Sequence, residues 1–466
     1  MRVKVLFIFS STIIFTLAAR VDAADRPAPP NVVLIVADDL GWRDLGVQGS
    51  TYHETPNLDA LAGRGMRFTN AYAACPVCSP SRAAMLTGKY PARLHLTDWL
   101  PGRSDRPSQK LLRADLVQQL PLEETTIAEA IKPLGYVSAS IGKWHLGEKP
   151  FWPENQGFDR NIGGTQTGSP PGGYFHFRTP SMSANSKNEY LTDRLTNEAI
   201  AFVAANKDRP FFLYLAHYAV HIPLQAKPDP LARFQAKPAG NSLQHNAIYA
   251  AVLASLDEGV GRLVNELERL KLTDRTVVVF ISDNGGLSVH EGPNTPATSN
   301  APLRDGKGYL YEGGTRVPLI VVWPGVVKPG STVDVPVCGI DLYPTILEIA
   351  GVDAVRRGGI DGVSLTPILK GKGTIARDAL YQHYPHYSNQ GGKPGGSIRE
   401  GNLKLIEFYE DNHIELYDLA NDPGETRDLA ASLPKDAERL RNKLKAWRES
   451  VDARMPRPNP AYVPPK

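Results

Sequence analysis

The sequence Asn31-Val32-Val33-Leu34-Ile35-Val36-Ala37-Asp38-Asp39 decides the fold. Its apolar part, Val32–Ala37, has the composition of a strand buried on both faces of a sheet, and it ends at two carboxylates. Similar apolar runs follow along the chain, separated by helical stretches: Tyr136–Ile141, Phe211–Leu215, Thr276–Ser282 and Pro318–Trp323. This alternation predicts an α/β fold with a large, mainly parallel sheet between about residues 31 and 350.

Polar side chains stand directly after most of these runs, whereas the last run ends in Pro324-Gly325. They are Asp38 and Asp39, Lys143 and His145, His217 and His221, and Asp283 and Asn284. Ligands of open α/β sheets bind outside the carboxyl ends of the strands. The pattern therefore predicts a functional site at this edge of the sheet.

Composition and local patterns indicate how the chain is organised. The 466 residues are 42% hydrophobic and 22% charged, which excludes global disorder and allows two or three domains. We expect a first domain over residues 24–360 and a smaller α+β subdomain with a short antiparallel sheet over 361–454. A proline-rich tail over 455–466 follows, which we expect to be extended or disordered. The subdomain is predicted from two hairpin strands, a helix and a glycine loop: Leu403–Phe408, Ile414–Tyr417, Pro434–Arg448, and Gly391-Gly392 with Gly395-Gly396.

Residues 1–23 have the pattern of a secretory signal. Arg2 and Lys4 precede a 15-residue apolar run, Val5–Ala19, and the segment ends in Val21-Asp22-Ala23. The alternative is a membrane anchor, which needs about 20 apolar residues. We expect a cleaved signal, a periplasmic or secreted protein, and no membrane attachment after cleavage.

Charge and cysteine content exclude two classes of protein. Removing the net +2 of residues 1–23 from the formal charge of +3 leaves +1, which gives no electrostatic basis for binding nucleic acid. Three cysteines, Cys75, Cys78 and Cys338, cannot build a disulfide scaffold.

The most specific segment is Cys78-Ser79-Pro80-Ser81-Arg82-Ala83-Ala84-Met85-Leu86-Thr87-Gly88. Ser79 can cap a helix, Pro80 suits its first position, and Gly88 suits its end. Cys78 would then precede a helix N-terminus, where backbone N–H groups favour an anion. Cys75 lies three residues earlier, and with no second such pair we interpret it as a packing residue.

This segment resembles the signature of the type I sulfatases of the alkaline-phosphatase superfamily, Cys-x-Pro-Ser-Arg-x-x-x-(Leu or Met)-Thr-Gly. A second family signature, Gly-Lys-Trp-His-Leu-Gly, is present as Gly142–Gly147, and the similarity extends from Asn31 to about Asp428. The resemblance implies an alkaline-phosphatase-like α/β/α sandwich and a sulfuric ester hydrolase.

The resemblance also implies a modified nucleophile. In this family the cysteine matched by Cys78 is oxidised by a maturation enzyme to formylglycine (3-oxoalanine), and the sequence itself shows only a cysteine. One hydroxyl of the hydrated aldehyde would attack sulfur, and the second would lose its proton to eject sulfate.

By the same resemblance, Asp38, Asp39, Asp283 and Asn284 bind Ca²⁺, with the modified Cys78 completing the shell. Carboxylate and carboxamide oxygens suit Ca²⁺, and Mg²⁺ less well.

Five further residues match the family's catalytic positions. Arg82 would stabilise the formylglycine and the metal site, Lys143 would contact the sulfate, and His145 would act as the base for sulfate release. His221 or Lys307 would protonate the leaving alcohol, and the sequence leaves both open. His217 is interpreted as a satisfied core or supporting histidine.

Four segments are predicted to form the rim of the pocket: Asp98–Asp115, Thr165–Phe177, His290–Asn300 and His383–Arg399. The second segment contains three candidates for a further polar contact: Thr165, Gln166 and Thr167. The last segment contains five candidate substrate-rim residues: His383, His386, Tyr387, Lys393 and Arg399.

We expect a sulfated sugar substrate, such as a galactose, N-acetylhexosamine or uronate unit, with exo or endo action open. The alternatives are a phosphodiester or phosphonate monoester hydrolase of the same superfamily and a non-catalytic sulfoglycan-binding protein.

Overall fold

The structure is a computed structural model that describes residues 29–352 and 359–464. The predicted signal, residues 1–23, lies outside the described residues. Within the described ranges, no helix combines the length and the apolar character needed to cross a membrane.

The strands are β1 (Asn31–Ala37), β2 (Met66–Phe68), β3 (Ala71–Tyr72), β4 (Leu111–Leu112), β5 (Val137–Gly142), β6 (Arg160–Ile162), β7 (Arg178–Thr179), β8 (Met182–Ser183), β9 (Phe211–Ala216), β10 (Thr276–Ser282), β11 (Leu319–Val322), β12 (Ser331–Val333), β13 (Val337–Cys338), β14 (Leu380–Tyr384), β15 (Gly395–Glu400), β16 (Leu403–Phe408), β17 (Ile414–Asp418) and β18 (Arg457–Pro458). The α-helices are α1 (Pro56–Arg64), α2 (Cys78–Thr87), α3 (Pro91–Leu94), α4 (Ile127–Ile131), α5 (Leu191–Ala205), α6 (Pro228–Ala236), α7 (Ala247–Arg269), α8 (Glu312–Thr315), α9 (Leu342–Ile349), α10 (Thr366–Leu369) and α11 (Pro434–Ser450).

The central sheet has eight strands in the order β12-β2-β11-β10-β1-β9-β5-β6. The pairs formed by β10, β1, β9, β5 and β6 are parallel, whereas β11 runs antiparallel to both of its neighbours. The predicted α/β fold with a mainly parallel, mixed sheet is confirmed, and each predicted strand is present with its ends shifted by at most one residue.

Helices cover both faces of this sheet because alternate residues of β1 point to opposite sides. Val32, Leu34 and Val36 pack in one core with residues of α2, α4 and α9. Val33 and Ile35 pack in the other with residues of α1, α5 and α7. All seven residues of β1 are buried, and burial of each large aliphatic side chain stabilises the fold by about 1.5–3 kcal/mol.

The carboxyl ends of the central strands lie side by side. Ala37 at the end of β1 is paired with Ser282 of β10, and Gly142 at the end of β5 is paired with Ala216 of β9. The residues after these strands therefore emerge at one edge of the sheet, as the sequence predicts.

A second, antiparallel sheet, β14-β15-β16-β17, lies in the C-terminal part of the chain. One face packs on α11 through Leu440 and Leu444. The predicted hairpin and helix are present. Gly395-Gly396, predicted as a loop, instead opens β15, where a Cβ on residue 396 would meet the Tyr409 hydroxyl. The predicted domain boundaries stay a prediction.

Candidate active site

The nucleophile segment lies above the edge of the sheet, at the start of α2. Cys78 is itself the first residue of this helix, Val77 is its N-cap without a side-chain hydrogen bond, and Pro80 is the third residue. The prediction that Ser79 caps the helix is wrong, because its Oγ accepts a hydrogen bond from the Leu100 backbone N–H. Gly88 ends the helix with a φ of 70°, as predicted.

Cys78 is buried, and burial raises the pKa of its thiol. A reactive cysteine needs the opposite shift, because the thiolate is the nucleophile. The unmodified side chain is therefore a poor nucleophile in this environment.

Three carboxylates and one carboxamide meet below Cys78. Single ligand atoms of Asp38, Cys78 and Asp283 all lie within 4.8 Å of one another, and Asp39 forms a second such group with Asp38 and His221. Asn284 Nδ2 donates to Asp39 Oδ1 over 2.8 Å. Oδ1 of Asp38 and Oδ1 of Asn284 are buried without a hydrogen-bond partner among the described residues.

This arrangement fits a hard divalent cation. Burial raises the pKa of Asp38 to about 8, and the nearby Asp283 carboxylate adds to the shift. A cation bound there would offset the cost of burying these negative charges and would use the two unpartnered oxygens. Asp38, Asp39, Asp283 and Asn284 can thus hold Ca²⁺, as the resemblance implies.

Cationic side chains surround the acidic group. Arg82 Nε donates to Asp283 Oδ2 over 2.8 Å, and Lys143 Nζ donates to Asp38 Oδ2 over 2.7 Å. Lys307 Nζ donates to Asp39 Oδ2 over 2.8 Å. All three cations are nearly inaccessible to solvent, so their charges act in a medium of low dielectric constant.

His145 is placed as a proton acceptor. Its Nε2 lies 2.7 Å from the backbone oxygen of Leu100, which can only accept, so Nε2 carries the proton. Nδ1 therefore holds the lone pair, and it has no partner among the described residues. Burial, followed by the charge of Lys143, lowers the pKa of His145 well below its usual value and keeps the imidazole neutral.

A hydrogen bond joins the side chains of His221 and Lys307. His221 Nδ1 lies 2.6 Å from the Ile222 backbone oxygen, and its Nε2 lies 3.0 Å from Lys307 Nζ. Burial and the adjacent Lys307 lower the pKa of His221 to about 3. In this state Lys307 is the donor of the pair, and the proton on Nζ is the one available.

The remaining predicted residues near the site are buried apart from it. Neither ring nitrogen of His217 has a hydrogen-bond partner in the described part of the chain, so it is a core histidine but not a satisfied one. Cys75 packs in a core with Val77 and Tyr384, as predicted.

A pocket of about 390 Å³ opens above Cys78. Its lining includes His145, His221 and Lys307 at the inner end. Each of the four predicted rim segments contributes to the wall: Trp99, Leu100 and Pro101; Gln166, Thr167, Gly168 and Ser169; Glu291; and Asn389 and Gln390. Of the three candidates for a further polar contact, Gln166 and Thr167 line the pocket.

None of the five rim candidates from the last segment lines this pocket; they are His383, His386, Tyr387, Lys393 and Arg399. His383 lies in β14 and contacts the Tyr409 hydroxyl and the Arg454 backbone oxygen. His386 is buried against the Thr97 hydroxyl, and Arg399 lies in β15 beside Tyr72. Tyr387 and Lys393 both contact Glu410. The prediction that these residues line the pocket is wrong, because His383 and Arg399 lie in strands where their side chains are buried against other parts of the chain. The turn between those strands supplies Asn389 and Gln390 instead.

Comparison with known proteins identifies the family. The sulfatase family profile matches residues 30–352, and the profile described as N-sulphoglucosamine sulphohydrolase, C-terminal, matches residues 305–451. The chain belongs to the sulfatase family. This sulfatase is a sulfuric ester hydrolase that cleaves sulfate esters.

Individual relatives agree with this assignment. The sulfatase is 34% identical to human arylsulfatase A over 86% of its own length and 83% of the relative. It is also 34% identical to the N-acetylgalactosamine-6-sulfatase of Canis lupus familiaris, over 78% of this chain and 70% of the relative. The crystal structure of Ps i-CgsB in complex with k-i-k-neocarrahexaose has 31% identity and a TM-score of 0.76, covering 90% of this chain and 93% of that one.

Proposed function

We propose that this sulfatase removes sulfate from a sugar hydroxyl, using a formylglycine made from Cys78 and a Ca²⁺ ion held by Asp38, Asp39, Asp283 and Asn284. The observation that carries the proposal is the convergence of Cys78, the four oxygen ligands and three buried cations at one edge of the sheet.

Formylglycine and Ca²⁺ would supply two kinds of chemistry. A hydrated aldehyde at position 78 would supply one hydroxyl as nucleophile and a second that can lose its proton, and a divalent cation held by Asp38, Asp39, Asp283 and Asn284 would neutralise negative charge.

The residues of the chain do the rest. Arg82 and Lys143 hold positive charge beside Asp283 and Asp38, where the sulfate and the nucleophile meet. Lys307 can give its proton to the leaving oxygen, and His221 accepts from Lys307 and orients it. His145 Nδ1 can accept the proton whose removal expels sulfate.

The wall of the pocket supports a sugar as the alcohol. Gln166, Thr167, Asn389 and Gln390 offer amide and hydroxyl groups, and Trp99 offers an aromatic ring. The wall is mainly apolar with a few polar groups, the usual form of a small-molecule site, and a sugar offers both an apolar ring face and hydroxyls to such a wall. Two of the similar proteins are named for, or bound to, a sugar: N-acetylgalactosamine-6-sulfatase and the neocarrahexaose complex.

The proposal includes export and maturation. Residues 1–23 have the pattern of a cleaved secretory signal, which supports a periplasmic or secreted enzyme. A formylglycine-generating enzyme is the partner that Cys78 requires. Mature protein beginning at Ala24 is the expected result of N-terminal sequencing after secretion.

Paired cysteine variants test the nucleophile. Cys78→Ala is expected to lower the turnover of an aryl sulfate by at least ~10³-fold, because no other group at the site can replace the nucleophile. Cys75→Ala, which removes a buried thiol three residues away, is expected to stay active.

Chelation of divalent cations should abolish activity, and added Ca²⁺ should restore it. Activity of Cys78→Ala, or indifference to chelation, would contradict the proposal, as would faster cleavage of a matched phosphodiester or phosphonate than of the sulfate.

A further inference from the structure

The pocket above Cys78 has a cationic inner end and a mostly neutral outer wall. Lys307 lies at the inner end with His145 and His221. Among the described residues that line the outer wall, Glu291 is the one charged side chain. A sulfate bound at the cationic end would leave Glu291 beside the rest of the ligand.

Glu291 is held in place from two sides. Its Oε2 accepts a hydrogen bond from Gln390 Nε2 over 2.5 Å, and no bond to Oε1 is found within residues 29–352 and 359–464. Its backbone N–H donates to Thr295 Oγ1 over 2.9 Å. Asn246 Nδ2 donates to the backbone oxygens of Asn294 and Pro296, so the loop is tied to the start of α7. The carboxylate is therefore presented to the pocket by a fixed loop.

Glu291 and Lys307 line the same pocket of about 390 Å³. A negative group on the ligand beside Glu291 would be repelled by its carboxylate, whereas the sulfate at the other end would be attracted by Lys307.

We propose that Glu291 selects a neutral sugar unit as the carrier of the scissile sulfate. This rests on the proposed function and deepens it. The carboxylate accepts hydrogen bonds from hydroxyls of the leaving alcohol, Gln390 and Asn389 supply amides beside it, and Trp99 offers a face for the ring. A carboxylate or second sulfate close to the scissile ester would meet Glu291 at short range in a partly desolvated site. Of the sugars that the sequence leaves open, a galactose or N-acetylhexosamine unit fits and a uronate unit does not.

Two aryl sulfates that differ in one charge test this directly. Methyl 4-sulfooxybenzoate is neutral on the ring substituent, and 4-sulfooxybenzoate carries a carboxylate in the same place. We expect replacement of Glu291 by Gln to raise the kcat/KM of the acid relative to that of the ester by roughly tenfold. Glu291→Lys should favour the acid further, and Glu123→Gln, which makes the same charge change at an exposed site, should leave the ratio unchanged.

Two measurements exclude a purely structural role for Glu291. High salt should reduce the wild-type preference for the neutral ester only in part, since a half-buried charge is screened less than an exposed one. Calorimetric binding of both compounds to Cys78→Ala should give the same preference without turnover.

The outcomes separate this inference from the proposed function. If the protein cleaves both esters and their ratio is the same in wild type, Glu291→Gln and Glu291→Lys, the role of Glu291 is overturned and the sulfatase mechanism stands. If the matured protein neither binds nor cleaves either compound, the proposed function fails, and this inference with it.

Discussion

At the scale of single residues, Gly168 gives His145 its position. A Cβ at residue 168 would lie 2.4 Å from Cε1 of the imidazole, so the ring occupies space that only glycine leaves free. Gly168→Ala is expected to displace the ring and to lower kcat by about 10–100-fold, because small misplacements of a reacting group are costly. Steady-state kinetics on an aryl sulfate measure this.

Gly63→Ala is the matched control for that change. Gly63 lies in α1, and no heavy atom comes within 4 Å of a Cβ placed there. Its turnover should equal that of the wild type, and its stability should rise by up to about 1 kcal/mol. Equal kcat in Gly168→Ala and Gly63→Ala would show that His145 does not need its present position.

The sequence predicts the inner residues of the site better than its wall. Asp38 and Asp283 follow long apolar strands, so topology alone brings them together. The polarity of His383 and Arg399 predicts a place at the rim. Their surroundings depend on how β14 pairs with β15, which no local pattern reveals. Glu291, Trp99 and Gln390 were missed as individual residues, although each lies in a predicted rim segment.

At the scale of secondary-structure elements, a buried charge cluster joins the C-terminal sheet to α8. Lys404 of β16 bonds Glu312 over 3.0 Å and Glu425 over 2.9 Å, and Glu425 also accepts from the backbone N–H of Glu312 at the start of α8. Burial opposes ionisation of Glu312, but Lys404 and nearby arginines hold its pKa below its usual value. The backbone oxygen of Gly314, also in α8, accepts a hydrogen bond from the N–H of Gly285, which follows the proposed metal ligand Asn284.

Lys404→Met is therefore expected to destabilise the protein by about 3–5 kcal/mol, because it removes the cation that lies between two buried carboxylates and leaves Glu312 paired with the more distant Arg316 over 3.6 Å. Urea denaturation measures this loss. Lys443→Met is the control: Lys443 pairs with Glu400 and Asp378 near the surface, and its loss should cost about 0–1 kcal/mol. Equal effects of the two variants would show that the buried cluster does not hold the sheet.

The predicted elements differ from the observed ones where sequence signals are short. Long apolar strands such as β1 and β10 are found because a buried run has a clear composition. β2 and β6 have three residues each, and their pairing depends on tertiary contacts. Serine is a common N-cap residue, but the Ser79 hydroxyl accepts a hydrogen bond from the Leu100 backbone N–H in a nearby loop instead.

At the scale of the whole molecule, the C-terminal tail holds one wall of the pocket. The prediction that this tail is extended is correct in part, since β18 pairs with β4. Asn459 also bonds the backbone of Gln109 and Lys110, and Val463 bonds that of Pro107. The segment they hold, Asp98–Asp115, carries Trp99 into the pocket wall.

Removal of residues 456–466 is expected to loosen that segment. KM for a sulfated sugar should rise several-fold while kcat changes less, and trypsin should cut after Arg103 and Lys110 sooner than in the intact chain. Asn459→Ala should give an intermediate effect. An unchanged KM together with unchanged proteolysis would contradict the role of the tail.

Asp98 links the stability of the molecule to pH. Its Oδ2 is buried without a partner in the described ranges, and burial raises the pKa of the carboxyl from 3.8 to about 7. As pH rises between these values, the unfolded chain loses a proton that the folded chain keeps. Stability should therefore fall through this window, by at most about 4 kcal/mol.

Asp98→Asn removes this titration. The difference in free energy of unfolding between the variant and the wild type, measured at pH 4.5 and pH 7.5, should move in favour of the variant at the higher pH. A difference that is the same at both values would show that Asp98 is ionised in the folded protein throughout.

The central claim concerns the side chain at position 78, and mass spectrometry of its peptide tests it most directly. Protein produced with and without a formylglycine-generating enzyme would be compared for the mass of that peptide and for sulfate release. We expect the mass of 3-oxoalanine to appear only with the maturation enzyme, and the specific activity to rise in proportion to its fraction. Full activity in protein whose residue 78 is entirely unmodified cysteine would contradict the account.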